Sequence, residues 1–483
     1  MYYPSLEEVK KLKPQGNLVP VYREINADLE TPVSAYLKIA QGDYSFLLES
    51  VEGGERLARY SFLGTEPAKI ITTGAMVQQS HPEPENIDPL LLVEKEFRQY
   101  RAIPVAELPR FHGGMVGYLS YEVARYFERL PAPEKDALGL PESQLMLVHT
   151  LLIFDHLAHK IKVVSHVRLD GDIEQSYQEA TAKIDELVAR LKEPLPAETP
   201  VKANTNHAGT TANVTAAEYE GMVVKMQKHI FDGDIIQGVP SVRVGRETSA
   251  SPFAIYRALR SINPSPYMYF LHLNDVHIVG ASPELLVRVE DGTVSNHPIA
   301  GTRPRGRDSE KDKALEKELR TDEKECAEHV MLVDLARNDV GRISEPGTVQ
   351  VTQFMDIERY SHVMHLVSHV QGKLRQGLTQ FDALRACFPA GTVSGAPKIR
   401  AMEIIADLEP DKRGPYAGAV GYFDFSGNID TAIAIRTIVI KDGTAYVQAG
   451  AGIVMDSVPA NEYQECLNKM QALLAAISQA EGN

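Results

Sequence analysis

Residues 416–454, YAGAVGYFDFSGNIDTAIAIRTIVIKDGTAYVQAGAGIV, decide the fold. Three runs rich in apolar and β-branched residues, YAGAVGYFDF, IDTAIAIRTIVI and TAYVQAGAGIV, are separated by SGN and KDG, the kind of residues tight hairpins need. This spacing predicts an antiparallel meander. Arg436 interrupts the middle run, where an unpaired charge is costly. It must therefore meet either a carboxylate of the protein or an anionic ligand.

Helices are expected to precede and follow the meander. Upstream, Thr215 and Glu218 form a capping box, and Tyr219, Val223, Met226 and Ile230 recur at helical spacing as far as Gly233. Before that helix, KEPLPAETPVKANTNHAGTTAN has no apolar periodicity. Residues 191–213 therefore read as a linker or surface excursion between regions 1–190 and 214–483. In the first region VSAYLKIA starts a helix, and YSFLLESVE, ARYSFLGTE, AKIITTG and MLVHTLLIFDHL read as strands. Both regions mix α and β, and no fixed-period repeat is present.

At 483 residues the chain can bury a large core, and its formal charge of −15 argues against a nucleic-acid surface or an anionic membrane. Neither a signal peptide nor a long apolar span is evident, so a cytoplasmic protein is expected. Cys326, Cys387 and Cys466 lack CxxC spacing, which leaves them as buried small hydrophobes rather than a disulfide or zinc framework.

Two carboxylate pairs stand out. Glu325 and Glu328 share a helical face with Leu332, and Glu462 and Glu465 repeat the spacing just after Pro459. Converging, they suit magnesium; apart, they are a solvated face and a helix N-terminus complemented by acid. PIAGTR (298–303), AGAGI (449–453) and GTVSGAPK (391–398) put small residues where backbone amides can approach an anion, or where an ordinary tight turn forms. HVMHLVSHV alternates like a strand, setting His362 opposite His365 and His369, which suits a packed or proton-transferring histidine better than a zinc site.

Taken together, GDIIQGVPSVR, NPSPYMYFL, GASPELLVR, PIAGTRPRG, DEKECAEHVMLVDLARNDVG, VMHLVSHV, FPAGTVSGAPK, GPYAGAVGYFD and QAGAGIV resemble, in this order, the chorismate-utilising enzymes. Within them the closest resemblance is to the branch that forms anthranilate. YSFLLESVEGGERLARYSFLG and HGGMVGYLSYE extend the resemblance into the N-terminal region. It implies an α+β fold with antiparallel sheets packed in a sandwich and helices outside. The implied reaction is magnesium-dependent amination of chorismate by ammonia and loss of pyruvate, at the start of tryptophan synthesis.

The same resemblance implies roles for residues. Glu328 and Glu465 would hold Mg, with Glu325 and Glu462 beside them. Gly301, Thr302, Tyr416, Arg436 and the backbone of Gly450, Ala451 and Gly452 would hold substrate. Glu284 would be a general acid with a raised pKa, and His365 and Thr392 would support the elimination. Glu49, Ser50, Pro266, Tyr267 and Met268 would form a tryptophan feedback site. Relatives that make aminodeoxychorismate carry a lysine where this chain has Ala300, and relatives that add water carry one where it has Gln237. Both departures favour ammonia as the direct nucleophile, with aminodeoxychorismate formation as the alternative. A catalytically silent tryptophan sensor is a third reading. No cysteine sits in a glutaminase elbow, so ammonia is expected from a separate amidotransferase chain, in an assembly of two chains of each kind.

Overall fold

The computed structural model describes residues 1–50, 59–74, 87–196, 209–360 and 363–482. Two large antiparallel sheets dominate them. The first runs Leu18–Asn26, Lys160–Arg168, Thr150–Asp155, Tyr60–Thr65, Tyr44–Glu49, Tyr267–Leu273, Val276–Ser282, Thr437–Lys441, Thr444–Gly450, Ser241–Glu247 and Thr211–Ala212. The second runs Ile299–Pro304, Val363–Lys373, Thr293–Asn296, Leu285–Glu290, Ile429–Ile433, Ala419–Asp424, Gly114–Leu119, Ser143–Val148 and Lys69–Thr73, with Gln350–Arg359 also paired to Val363–Lys373. Each sheet takes strands from both sides of residues 191–213. Of that segment, residues 197–208 lie outside the described residues.

The sheets pack face to face with helices outside. In Tyr267–Leu273, Tyr269, Leu271 and Leu273 point into a core shared with Val116, Tyr118, Met146 and Val420 of the second sheet. Their neighbours Met268 and Phe270 point the other way, against helical residues such as Ile255, Tyr256 and Ala35. A strand buried on both faces loses its polar alternation, which is why YMYFLHL carries so little of it. The outer face of the second sheet is covered by Val333, Ala336 and Val340 of helix Glu323–Ile343 and by Phe381 and Leu384 of helix Gln380–Cys387. Among the described residues no helix is long and apolar enough to cross a membrane.

The meander is not one sheet. Ala419–Asp424 and Ile429–Ile433 pair in the second sheet, whereas Thr437–Lys441 and Thr444–Gly450 pair in the first. The run IDTAIAIRTIVI is therefore two strands, and the chain passes between the layers at residues 434–436. Arg436 takes a left-handed φ of 50° there, which ends the ladder. MLVHTLLIFDHL breaks the same way at His149, between Ser143–Val148 and Thr150–Asp155. A third crossing occurs in SPEL, between Val276–Ser282 and Leu285–Glu290, where Pro283 has no amide to give a ladder. Apolar periodicity shows none of these breaks, because the residues on either side are buried in both sheets. Cys387 and Cys466 are buried as expected, but Cys326 is only partly so.

Candidate active site

Two of these crossings lie side by side and carry the charged candidates. The Ile433 amide donates to the Glu284 carbonyl at 3.0 Å, and the Ser282 hydroxyl donates to the Ile433 carbonyl at 2.7 Å. Leaving the ladder turns Glu284 and Arg436 into the space between elements. Glu284 is buried, and burial pushes its carboxyl up to about 8, against smaller downward pulls from Thr392 and Lys469. With Thr392, Asn296, Leu332 and Asp339 it lines a small cavity of about 20 Å³, room for a water. The Thr392 oxygen is buried there without a well-formed hydrogen bond among the described residues, although it is near enough to act on Glu284.

Arg436 has no carboxylate within ion-pair distance among the described residues. Its guanidinium donates to the Lys469 carbonyl at 3.1 Å. Burial lowers its pKa, and the fields of Tyr416 and Glu465 oppose this only in part. Of the two outcomes the sequence left open, the structure thus leaves a part-buried cation that an anionic ligand can satisfy.

The carboxylate pairs begin two helices. Asp322 caps Glu323–Ile343 through the amides of Lys324 and Glu325, and Pro459 opens Pro459–Ala480, which buries Cys466, Met470, Leu473 and Ile477. Glu325 accepts from Arg303 at 3.2 Å, Glu328 from Gln237 at 3.1 Å, and Glu465 pairs with Lys469 at 2.7 Å. The Glu325 carboxyl is raised by burial and by Glu328, and the Glu462 carboxyl by burial and by Glu465. Two carboxylate pairs at two helix starts are all-oxygen donor sets, which is the chemistry of a magnesium site. Among the described residues no three His, Cys, Asp or Glu groups gather closely enough to form such a site by themselves. Lys324 acts on Glu462, which places the two helix starts within reach of one another's charge.

Around them the glycine-rich segments close in. His365, on strand Val363–Lys373, lies with Nδ1 3.0 Å from the Gly301 carbonyl and 3.0 Å from the Thr302 hydroxyl. A carbonyl can only accept, so Nδ1 carries the proton and Nε2 keeps its lone pair. Burial lowers the His365 pKa and keeps the ring neutral. Gly301 has φ 62°, and a Cβ there would meet Leu319 at 2.9 Å and a Glu325 oxygen at 3.1 Å. A Cβ on Gly450 would meet the Pro240 carbonyl at 2.7 Å and the Tyr416 hydroxyl at 2.9 Å, and Ala451 is fully buried beside it. His362 lies outside the described residues.

Lys469 was not singled out from the sequence. It joins Glu465, the Gly450 carbonyl at 2.8 Å and the field on Glu284. One turn after a glutamate it looks like any i,i+4 surface pair, so only the tertiary contacts reveal it. Gln237 is a second such hinge, since a Cβ on Gly452 would lie 2.6 Å from its Nε2. Gly452→Ala is therefore expected to push Gln237 off Glu328 and cut kcat/KM for chorismate by about ten- to a hundred-fold. Its melting temperature should fall by only a few degrees. Steady-state kinetics and calorimetry check both.

Glu49, Ser50, Pro266, Tyr267 and Met268 all line a second, larger cavity of about 510 Å³. Tyr60, Phe62, Phe111, Tyr269 and Tyr422 give it aromatic walls, and Arg288 and Asp430, paired at 2.9 Å, give it charge. The Glu49 carboxylate is held by Arg260 at 3.0 Å and by the Tyr256 hydroxyl, which fixes it toward helix Pro252–Ile262.

The family profile of chorismate binding enzymes matches residues 43–475. The chain belongs to the chorismate-binding enzymes. It is 49% identical to anthranilate synthase component 1 of Acetivibrio thermocellus, over 99% of each chain. It is 49% identical to that of Pseudomonas aeruginosa, over 98% of this chain and 99% of the other. The crystal structure of anthranilate synthase component I from Streptococcus pneumoniae superposes with a TM-score of 0.77 at 38% identity, covering 93% of this chain and 99% of that one. The menaquinone-specific isochorismate synthase of Escherichia coli shares the fold at 18% identity and a TM-score of 0.72. As a chorismate-binding enzyme this chain acts on chorismate, and the two crossings, the carboxylate helices and the glycine segments are the parts that surround its candidate site.

Proposed function

We propose that this chain is the synthase component of an anthranilate synthase, aminating chorismate at C2 with ammonia and eliminating pyruvate. The observation that carries this reading is the near-full-length identity to anthranilate synthase component 1 chains. Ala300 and Gln237 agree with it chemically, since neither can attack C2 covalently or take a proton from water as a lysine would.

Arg436 pairs with a carboxylate of the substrate, whose second negative charge lies toward Glu328 and Glu465. Those two, with Glu325 and Glu462 beside them, would hold magnesium, which when bound supplies the positive charge that a second carboxylate needs. As ammonia bonds to C2 both ring double bonds shift, one to C1–C6 and the other to C4–C5, and the C4 hydroxyl leaves as water with the proton that Glu284 donates. The new C2 ammonium then loses a proton to solvent. His365 then takes the C2 proton on Nε2 while the C3 oxygen departs with pyruvate and the ring becomes aromatic. Thr392 steadies Glu284 during the first step.

The larger cavity reads as the tryptophan site. Its aromatic walls suit an indole, and its ion pair suits an amino-acid backbone. Tyr267 and Met268 pair in register with Ser282 and Ala281, the residues just before Glu284. An inhibitor that displaces Tyr267 and Met268 thus bears on the strand that positions the acid. The ammonia source is a separate amidotransferase chain.

The test is turnover by the purified chain with chorismate, magnesium and ammonium at mildly alkaline pH, without a partner. Anthranilate and pyruvate are expected, lost with EDTA and suppressed by tryptophan. Aminodeoxychorismate would replace this reading, and tryptophan binding without turnover would make the chain a sensor.

A further inference from the structure

Behind the site lies Arg413, the largest fully buried side chain among the described residues. Its guanidinium donates to both Glu409 oxygens, at 2.8 and 2.7 Å, to the Val393 carbonyl at 2.8 Å and to the Val239 carbonyl at 2.6 Å. It lies over the rings of Tyr121 and Tyr416, 4.6 and 5.6 Å from their centroids. Glu409 in turn accepts from the Ser241 amide and hydroxyl, at 2.7 and 2.8 Å, and Glu122 accepts from the amides of Arg413 and Gly414. A buried ion pair is no stability device in itself, because apolar residues of the same volume often serve as well.

What sets this pair apart is where its donors go. Val393 follows Thr392, Val239 lies two residues after Gln237, and Tyr416 is a substrate candidate. The segments are already joined, since Gln237–Gly238 pairs with Gly395–Ala396. At the far end of the Thr392 loop Lys398 is tied to Asp339 of the carboxylate helix at 2.7 Å and to the Cys387 carbonyl at 3.2 Å.

We infer that Arg413, held by Glu409, is a positioning residue that sets Thr392, Gln237 and Tyr416 at fixed spacing from behind. Lysine keeps the charge but not the planar fork that reaches a carboxylate and two carbonyls at once. The activity arm of the test rests on the function proposed above; the exchange arm does not.

Arg413→Lys and Glu409→Gln are compared with Arg385→Lys, which disturbs another part-buried ion cluster, with Asp88, Glu94 and Asp382. Hydrogen exchange at residues 391–397 and 237–239 is expected to speed up at least ten-fold in the first two variants and to stay unchanged in the third. Well below the melting temperature, kcat should fall by about ten- to a hundred-fold in Arg413→Lys. The same substitution in a Thr392→Ala background should cost several-fold less than it does in the parent, because one of the three residues it acts through is gone. Unchanged exchange in both segments, or the full loss of kcat repeated in the Thr392→Ala background, overturns the inference. So does failure of both variants to fold while Arg385→Lys folds, since the pair would then hold the fold and not the site. If the parent chain itself makes no anthranilate, the proposed function fails and the exchange result alone decides the role of Arg413.

Discussion

Arg436→Met is expected to lower kcat/KM for chorismate by about a thousand-fold while leaving the melting temperature unchanged or higher. The two signs come from one fact. Arg436 is a part-buried cation whose hydrogen bond goes to the Lys469 carbonyl, with no carboxylate paired to it among the described residues. Burial lowers its pKa, so the folded chain bears the cost of desolvating this charge. Methionine fills similar volume without charge, and both side chains bear the left-handed backbone at φ 50° equally, so backbone strain cancels in the comparison. In the complex the balance reverses. Losing a desolvated charge partner of a substrate carboxylate costs about 2–5 kcal/mol, enough for the expected fall in rate. Calorimetry on the ligand-free chain and steady-state kinetics separate the effects. A marked drop in melting temperature with activity kept would make Arg436 a structural cation and would remove it from the site.

How much of this was legible in the sequence depends on the kind of signal. Helix starts were plain: the Thr215–Glu218 box and Pro459 at its helix start stand where local chemistry puts them. The existence of strands in 416–454 was equally plain. Their assignment to sheets was not, because IDTAIAIRTIVI is apolar on both faces and a run buried twice looks alike in one strand or two. The charge at Arg436 is the local sign of the crossing, but a charge in an apolar run asks only for a partner, a protein carboxylate or an anionic ligand, and says nothing of a backbone break. Glu284 shows the same limit. Pro283 before it announces a break in the ladder, but only the second strand passing beside it, through the Ile433 amide, explains why the carboxyl is buried. Lys469 and Arg413 were invisible as site residues for a different reason: each has a glutamate four residues before it, an ordinary local pair, while the contacts that tie them to the site, to the Gly450 carbonyl and to the Val239 and Val393 carbonyls, come from other elements.

Glu284→Gln should lower kcat by about a hundred- to ten-thousand-fold and abolish the alkaline fall of the rate profile. In the parent chain the carboxyl stays protonated until about pH 8, because burial outweighs the pull of Thr392 and Lys469. A proton donor is active only in that form, so kcat, corrected for the rise of free ammonia with pH, should decline as pH passes 8. Stability moves in the same window with a definite sign. In the unfolded chain the group ionises near its ordinary value of 4.5, whereas in the folded chain it holds its proton to about 8. Between these values the folded state binds the extra proton, so each step upward in pH favours unfolding. The glutamine variant has no such proton. It should therefore match the parent's stability near pH 5 and exceed it above pH 8, by on the order of 4 kcal/mol if the whole shift is expressed. Denaturant titrations of both chains at the two pH values read this directly. If Glu284→Gln loses activity but its stability follows the parent's at every pH, the carboxyl is already ionised in the folded chain, and the donor in the first step must be another group.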